Sequence, residues 1–268
     1  MKIIRKDTLK KKEQTRAERI LEVVNHPFIV QLHYAFQTAN RLCFVMDFIN
    51  GGELFSYITR EKHFSEPRAR FYAAEIILAL EYLHKMNIIY RDLKPENILL
   101  DEKGHIRLTD FGHSKDDQSD DDRAFSMVGS PYYMAPEILL KQGHGKEADW
   151  WSLGILIYEM LVGLPPFYQE NTKKAYEALL TQPIEFPSNI SSEARRMVRG
   201  LIWSRRRETL RTRDGEGVDV ENNIHWEVEV TIEKEEPPFK PRVRDITDVK
   251  NFSPNFTVTV MCGMRGRN

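Results

Sequence analysis

Polar and apolar positions alternate at the start of the chain, where Met1-Lys2-Ile3-Ile4 reads as a strand, and then fall into helical spacing over residues 13–24, ending ahead of His26-Pro27-Phe28. Runs near 29–36 and 42–48 return to strand character, and Asn50-Gly51-Gly52 breaks the second of them before a short helix. From Ser65, placed as an N-cap with Pro67 in the first turn, the residues Tyr72, Ile76, Ala79, Leu80 and Leu83 form one apolar stripe on a helix of about twenty residues. Short strands around 98–100 and 105–108 precede an acidic stretch punctuated by Gly and Pro up to Pro136. Helices follow near 148–163 and 191–202. The pattern predicts an α+β fold in which a small sheet-rich lobe precedes a larger helical lobe, with a cleft where they join near 47–52. No repeat at a solenoid period interrupts it.

Composition narrows the class. The chain has 268 residues, 41% of them hydrophobic, with 14 glycines, which is ordinary for a globular protein and excludes wholesale disorder. Thirty-nine basic residues against 40 acidic ones leave a net charge of −1, so the overall basic footprint of a nucleic-acid or anionic-membrane binder is missing. Cys43 and Cys262 stand far apart with no CxxC or Cys/His spacing, which supports neither a disulfide framework nor a zinc site. The N-terminus MKIIRKDTLKKK lacks an apolar signal core, and the most apolar stretch, 153–167, is interrupted by Glu159 and two prolines. The expectation is a soluble protein of a reducing compartment, cytoplasmic with the nucleus as alternative, with no membrane insertion and no nucleic-acid partner.

The densest chemistry follows the long helix, in Tyr90-Arg91-Asp92-Leu93-Lys94-Pro95-Glu96-Asn97. Asp92 is suited to accept a hydroxyl proton, Lys94 to neutralise a transferring phosphoryl group, and Asn97 to offer an amide oxygen to a metal. An Asp–Asn pair alone would be read as a polar loop that caps helices. Thirteen residues beyond Asn97, however, lies Asp110-Phe111-Gly112 after an apolar strand. It supplies a second hard oxygen ligand, suited to Mg²⁺ shared between protein and phosphates. Ala135-Pro136-Glu137 closes the segment.

YRDLKPEN, DFG and APE, in this order and at these intervals, resemble the catalytic segment of eukaryotic protein kinases, and Lys94 after Asp-Leu resembles the Ser/Thr type. Tyr90 at the start of the loop, HPF at 26–28, VMDFINGGELF, and PPFKPRV followed by NFSPNFT are similar to the AGC group, nearest to ribosomal S-six kinase-like members. The resemblance implies a protein-kinase-like two-lobe fold, with residues 1–49 as a partial small lobe, 50–223 as the helical lobe and 224–268 as a partial AGC-type tail. It also implies ATP and Mg²⁺ as cofactors. Met46 would be the gatekeeper, the backbone of Asp47 and Ile49 would bind adenine, and Leu99 would floor the pocket. Asp149 would fix the catalytic-loop backbone. Glu53 would meet the ribose and a substrate arginine, and with Glu96 and Glu159 would select protein substrates carrying basic residues before the Ser or Thr, since carboxylates pair bidentately with arginine. Ser126 falls at the group's activation-loop phosphosite, which implies an upstream kinase as partner. Its phosphate would pair with Arg91 and with Arg107.

The chain also departs from the pattern. Lys2 matches the lysine that grips the α/β-phosphates and Glu18 is the best candidate for its helix partner, but the group places two further strands and a Gly-rich loop before that lysine. The sheet is therefore expected to be truncated. SRRRETLRTRDGEGVDVENN stands at 204–223 in place of the group's usual stretch, and its arginines read as a solvated loop. The aspartates at 116, 117, 120, 121 and 122 crowd without ligand spacing and read as a solvated activation loop rather than a metal cluster. With no turn-motif or hydrophobic-motif site after Phe252 and Phe256, tail docking in cis is not expected. Two functions compete on these grounds. One is a serine/threonine kinase using Mg²⁺-ATP, favoured by the catalytic loop. The other is a catalytically impaired kinase-like scaffold, favoured by the missing loop.

Overall fold

The computed structural model describes residues 1–6, 18–116, 130–210, 236–245 and 247–252. Three antiparallel strands form the small sheet: β1 (Lys2–Arg5), β2 (Leu32–Gln37) and β3 (Arg41–Met46), in the order β1-β3-β2. Lys2 is registered with Phe44, and Ile4 with Leu42. Because side chains alternate along a strand, Lys2 shares a face with the buried Phe44 and Leu42, while Ile3 lies with Phe36 on the other face. Residues 18–23 form a helix, α1, whose Ile20 and Leu21 pack inward, as does Val24 just after it.

His26-Pro27-Phe28 and the residues after it lace this part to the rest. Leu108 N–H donates to Phe28 O at 2.9 Å, and Val30 N–H to Leu108 O at 3.0 Å. The chain crosses at 47–52 into α2 (Leu54–Glu61) and α3 (Glu66–Lys85). Ser65 is the N-cap of α3 as expected and a proline occupies its first turn, but the serine hydroxyl makes no cap bond. Two short ribbons follow: β4 (Ile88–Ile89) pairs with β7 (Lys115–Asp116), and β5 (Ile98–Leu100) with β6 (Ile106–Leu108). The remaining helices are α4 (Pro136–Leu139), α5 (Glu147–Val162), α6 (Thr172–Thr181) and α7 (Ser192–Leu210).

The core lies where α3 packs on α5 and α5 on α7. Tyr72, Ile76, Leu80 and Leu83, the stripe read from sequence, are fully buried there with Trp151, Leu153 and Leu156. Helix α5 is apolar nearly all round because both its faces are covered, which is the signature of a core helix rather than a membrane span. Among the described residues no helix is long and apolar enough to cross a membrane.

Tail residues 236–252 dock on the body, contrary to the expectation from sequence. Phe239 sets its ring 5.0 Å from that of Tyr57. The Arg68 guanidinium lies 4.1 Å from the Phe239 ring on one side and 4.0 Å from that of Phe64 on the other. Further along, Asn50 Nδ2 donates to Asp245 O at 3.3 Å, and Asn251 Nδ2 to Asn50 O at 3.2 Å. Phe239→Ala is expected to expose 236–252 to limited proteolysis and to lower the denaturation midpoint by an amount equivalent to about 1–3 kcal/mol, the range for a half-buried ring and its cation–π partner. A proteolysis time course unchanged from that of the parent would show that Phe239 is not the anchor.

Candidate functional site

Asp149 organises the site from below. It sits in the first turn of α5, wholly buried, and its Oδ1 accepts from Arg91 N–H at 2.7 Å while Oδ2 accepts from Tyr90 N–H and from His84 Nε2, each at 2.8 Å. Those bonds hold Arg91 in a left-handed conformation, φ 71°, which costs a non-glycine residue on the order of 1–2 kcal/mol. Tyr90 is buried beside Phe111, with ring centroids 5.3 Å apart, and its hydroxyl donates to Thr109 O. The loop at 90–97 and the strand end at 109–111 are thereby fixed to each other.

The structure brings Asp92, Lys94 and Asn97 together. Asn97 Nδ2 donates to the Asp92 carbonyl at 2.8 Å and to Asp92 Oδ2 at 2.9 Å, and Lys94 Nζ stands 3.1 Å from the same Oδ2. Among the described residues Asp92 Oδ1 has no such partner and is left for another donor. Asn97, with both amide hydrogens spent on Asp92, presents its Oδ1 as an acceptor. Thr109 ties this loop to Asp110, since its N–H donates to Asn97 O at 2.9 Å and its hydroxyl to the same oxygen at 3.1 Å.

Asp110 is left-handed, φ 57°, and its Oδ1 accepts from Gly112 N–H at 3.2 Å and from Lys2 Nζ at 2.7 Å. Burial would raise its carboxyl, but the Lys2 ammonium and the Gly112 N–H overcome that and hold it below the usual carboxylate range. An ionised Asp110 and the Asn97 oxygen are hard donors of the kind Mg²⁺ takes. Among the described residues no group of three or more His, Cys, Asp or Glu gathers to cage a metal. That donor set fits an ion that completes its shell with phosphate oxygens and water.

Lys2, placed on β1, reaches across to Asp110, 108 residues away in sequence. Glu18, expected as its partner, lies half-buried on α1, and among the described residues Lys2 pairs with Asp110 instead. At the crossing, Asp47 is anchored on both sides: its N–H donates to Gln31 O at 3.1 Å, and its carboxylate meets His33 Nε2 at 2.7 Å and Gln31 N–H at 3.3 Å. The carbonyl is what Asp47 has left to offer. Ile49 is buried, and its N–H makes no backbone hydrogen bond among the described residues. Met46 and Leu99 are half-buried, and Leu99 bridges to Glu53, the N-cap of α2.

Glu53, Glu96 and Glu159 share one electrostatic neighbourhood. Burial, and next the charge of Glu96, raise the Glu53 carboxyl. Burial pushes Glu159 to about 7, with Glu96 adding to the rise and a hydrogen bond from the Tyr133 hydroxyl opposing it. The charge of Glu96 adds to the rise of both Glu53 and Glu159, and carboxylates gathered in this way have use for a cation.

Ser126 lies outside the described residues, as do the aspartates at 117, 120, 121 and 122 and the 211–223 part of the arginine-rich stretch. Of the two cations expected to receive a phosphate on Ser126, Arg91 is buried in the catalytic loop, but Arg107 on β6 stands 3.5 Å from Asp101 and adds its charge to the desolvation that depresses the half-buried His26. Lys115 was missed from sequence. It is buried, and β7 pairs it with Ile89 two residues before Arg91. A lysine five residues after Asp110, at the mouth of the acidic segment, was the available signal.

Comparison with known proteins agrees with this geometry. Residues 1–212 match the protein kinase domain family. The chain is 48% identical over 262 residues to "Serine/threonine-protein kinase Sgk1" of Fundulus heteroclitus, covering 94% of the chain and 60% of that protein. It is 48% identical over 264 residues to "Protein kinase 2" of Dictyostelium discoideum, covering 96% of the chain and 55% of that protein. Similarity to the Sgk1 of Bos taurus reaches 47% over 273 residues, 98% of the chain and 63% of the relative. The chain thus spans somewhat over half the length of the curated relatives it matches.

Proposed function

Because the chain belongs to the protein kinase domain family, we propose that it transfers the γ-phosphoryl group of ATP to serine or threonine of protein substrates that carry basic residues before the acceptor. The observation that carries this reading is the convergence of Asp92, Lys94 and Asn97 with the Lys2–Asp110 pair.

In this reading the acceptor oxygen bonds to the γ-phosphorus as the bond to the β–γ bridging oxygen breaks, and ADP leaves. Asp92 Oδ1 orients the hydroxyl and takes its proton, and Lys94, already beside Asp92, balances charge on the transferring group. Lys2 grips the α/β-phosphates, and Glu18 serves as its partner once phosphates compete for the ammonium. Asn97 and Asp110 hold Mg²⁺, which when bound neutralises the phosphates. Adenine is read by the Asp47 carbonyl and the Ile49 N–H, between Met46 and Leu99. The chain divides as 1–49, 50–223 and 224–268. Phosphate placed on Ser126 by an upstream kinase is received by Arg91 and Lys115, and the compartment is cytoplasmic or nuclear.

Glu53, Glu96 and Glu159 take the substrate's arginines. Glu159 ionises near pH 7, so its charge is present above that pH and lost below it. The ratio of kcat/KM for an arginine-containing peptide to that for its alanine analogue is expected to fall severalfold between pH 8 and pH 6, and Glu159→Gln is expected to flatten the change. A peptide library phosphorylated best at acidic or proline-directed sequences would overturn the assignment of the three carboxylates.

A further inference from the structure

The crossing between the lobes is fastened at Asp47, and the fastening begins with an irregularity in the small sheet. Leu32 lies opposite Met46 and Tyr34 opposite Val45, so β2 places two residues where β3 places one, and His33 is the extra residue. A bulge of this kind bends its strand and re-aims a side chain, and bulges are frequent beside active sites. Here the His33 ring comes to the end of β3, where its Nε2 meets Asp47 Oδ1 at 2.7 Å. A carboxylate only accepts, so Nε2 carries the proton of that bond. Gln31 holds the rest of Asp47: its N–H donates to Oδ2 at 3.3 Å, and its carbonyl accepts from Asp47 N–H at 3.1 Å. Gln31 is itself flanked by Val30, whose N–H donates to Leu108 O, and by Leu32 in the ladder with β3. Among the described residues the His33 ring has no other hydrogen-bond or ion-pair partner. Side chain and N–H of Asp47 are thus both committed to β2 and its approach, and the carbonyl is left aimed by them.

We infer that His33 is a positioning residue for nucleotide recognition, which holds the Asp47 carbonyl where it accepts from the 6-amino group of adenine. The inference rests on the reading that this carbonyl reads adenine. A backbone acceptor contributes most when it is already aimed, because a loose crossing has to be ordered at the moment the nucleotide binds. The clamp supplies that order in advance. The bulge sets the ring, the ring and Gln31 N–H set the carboxylate, and the carboxylate and the Gln31 carbonyl set the Asp47 backbone. His33 shares no bond with Asp92, Lys94, Asn97 or Asp110, so it acts on binding and leaves the transfer step alone. Its side chain is 47% exposed and that of Asp47 34%, which limits the effect of the pair to about two- to fivefold in affinity.

The test compares two nucleotides on the full chain with Mg²⁺ present: ADP, and purine riboside 5′-diphosphate, which differs from ADP only in lacking the 6-amino group. Dissociation constants are measured by calorimetry. The parent should bind ADP more tightly than the analogue. His33→Ala should weaken ADP by about two- to fivefold and leave the analogue unchanged, so that discrimination between the two narrows. Asp47→Ala, which keeps the carbonyl and loses the clamp, should narrow it in the same way, and the double variant should be no weaker than Asp47→Ala alone, because the two side chains act as one unit. In turnover of an arginine-containing peptide, His33→Ala should raise KM for ATP by the same factor with kcat unchanged. Parental discrimination retained in His33→Ala, equal weakening of both nucleotides, or additive losses in the double variant would each overturn the role of His33 while leaving the adenine reading standing. A parent that binds ADP and the analogue equally, or binds neither, would overturn that reading itself.

Discussion

Asp110→Asn is expected to abolish phosphoryl transfer while leaving the protein folded, and Asp92→Asn to reduce it by a factor on the order of 10²–10⁴. The two effects have different causes. Asp110 would lose the charge that makes it a ligand, and with it the electrostatic neutralisation on which most of the rate depends. Asp92 would keep its place beside Asn97 and Lys94 but could no longer take a proton. Stability should hardly change in Asp110→Asn. The Lys2–Asp110 pair has side chains 37% and 40% exposed, so screening limits its contribution to about 0–1 kcal/mol. The measurement is turnover of an arginine-containing peptide alongside a denaturation curve. Turnover at the parental level in purified Asp110→Asn would mean that the site is misassigned.

Asp149→Ala is expected to act in the opposite way, through structure. Its carboxylate touches none of the groups assigned to reactants, but it receives three buried donors, Tyr90 N–H, Arg91 N–H and His84 Nε2. Each donor left without a partner costs about 1–3 kcal/mol, so a destabilisation of about 3–5 kcal/mol should result, a large share of a domain's stability. Arg91 should also relax from its left-handed conformation once its N–H is released, displacing Asp92, the next residue. The variant should unfold at much lower denaturant, and at temperatures where it remains folded its turnover should still be low. A loss under 1 kcal/mol would show that water or a neighbouring group replaces the carboxylate.

The parts of the site that could be read from sequence are those written contiguously. Asp92, Lys94 and Asn97 lie on one loop, and their mutual bonds follow from local spacing. The apolar stripe of α3 was legible because its helix is long and one-sided. Helix α6 was not, because only Ala175, Ala178 and Leu179 turn inward and small or single apolar residues barely mark a face. Its N-cap was the better signal, since Asn171 Oδ1 accepts from Lys173 N–H at 2.9 Å. The paired strands β4 and β7 are too short to carry a period. Lys115 stayed hidden for that reason, since only the ladder between those strands places it near Arg91. Lys2–Asp110 and the tail contacts join positions far apart in the chain, which no local pattern records.

The docked tail leaves an imprint on the body that can be read without seeing the tail. Gly52 and Gly104 have φ of +91° and +101°, and a Cβ at either would strike the tail backbone, at Asn251 O and at Phe239 O respectively. Each glycine is thus fixed twice over, by its own backbone and by a chain passing above it. Alanine at position 104 would ask both for a strained turn and for the displacement of Phe239, so neither residue can drift independently of the route taken about 135 to 200 positions later. In a relative whose tail takes another path, one of the two constraints disappears. The side chains found at these two places would then report where that tail runs.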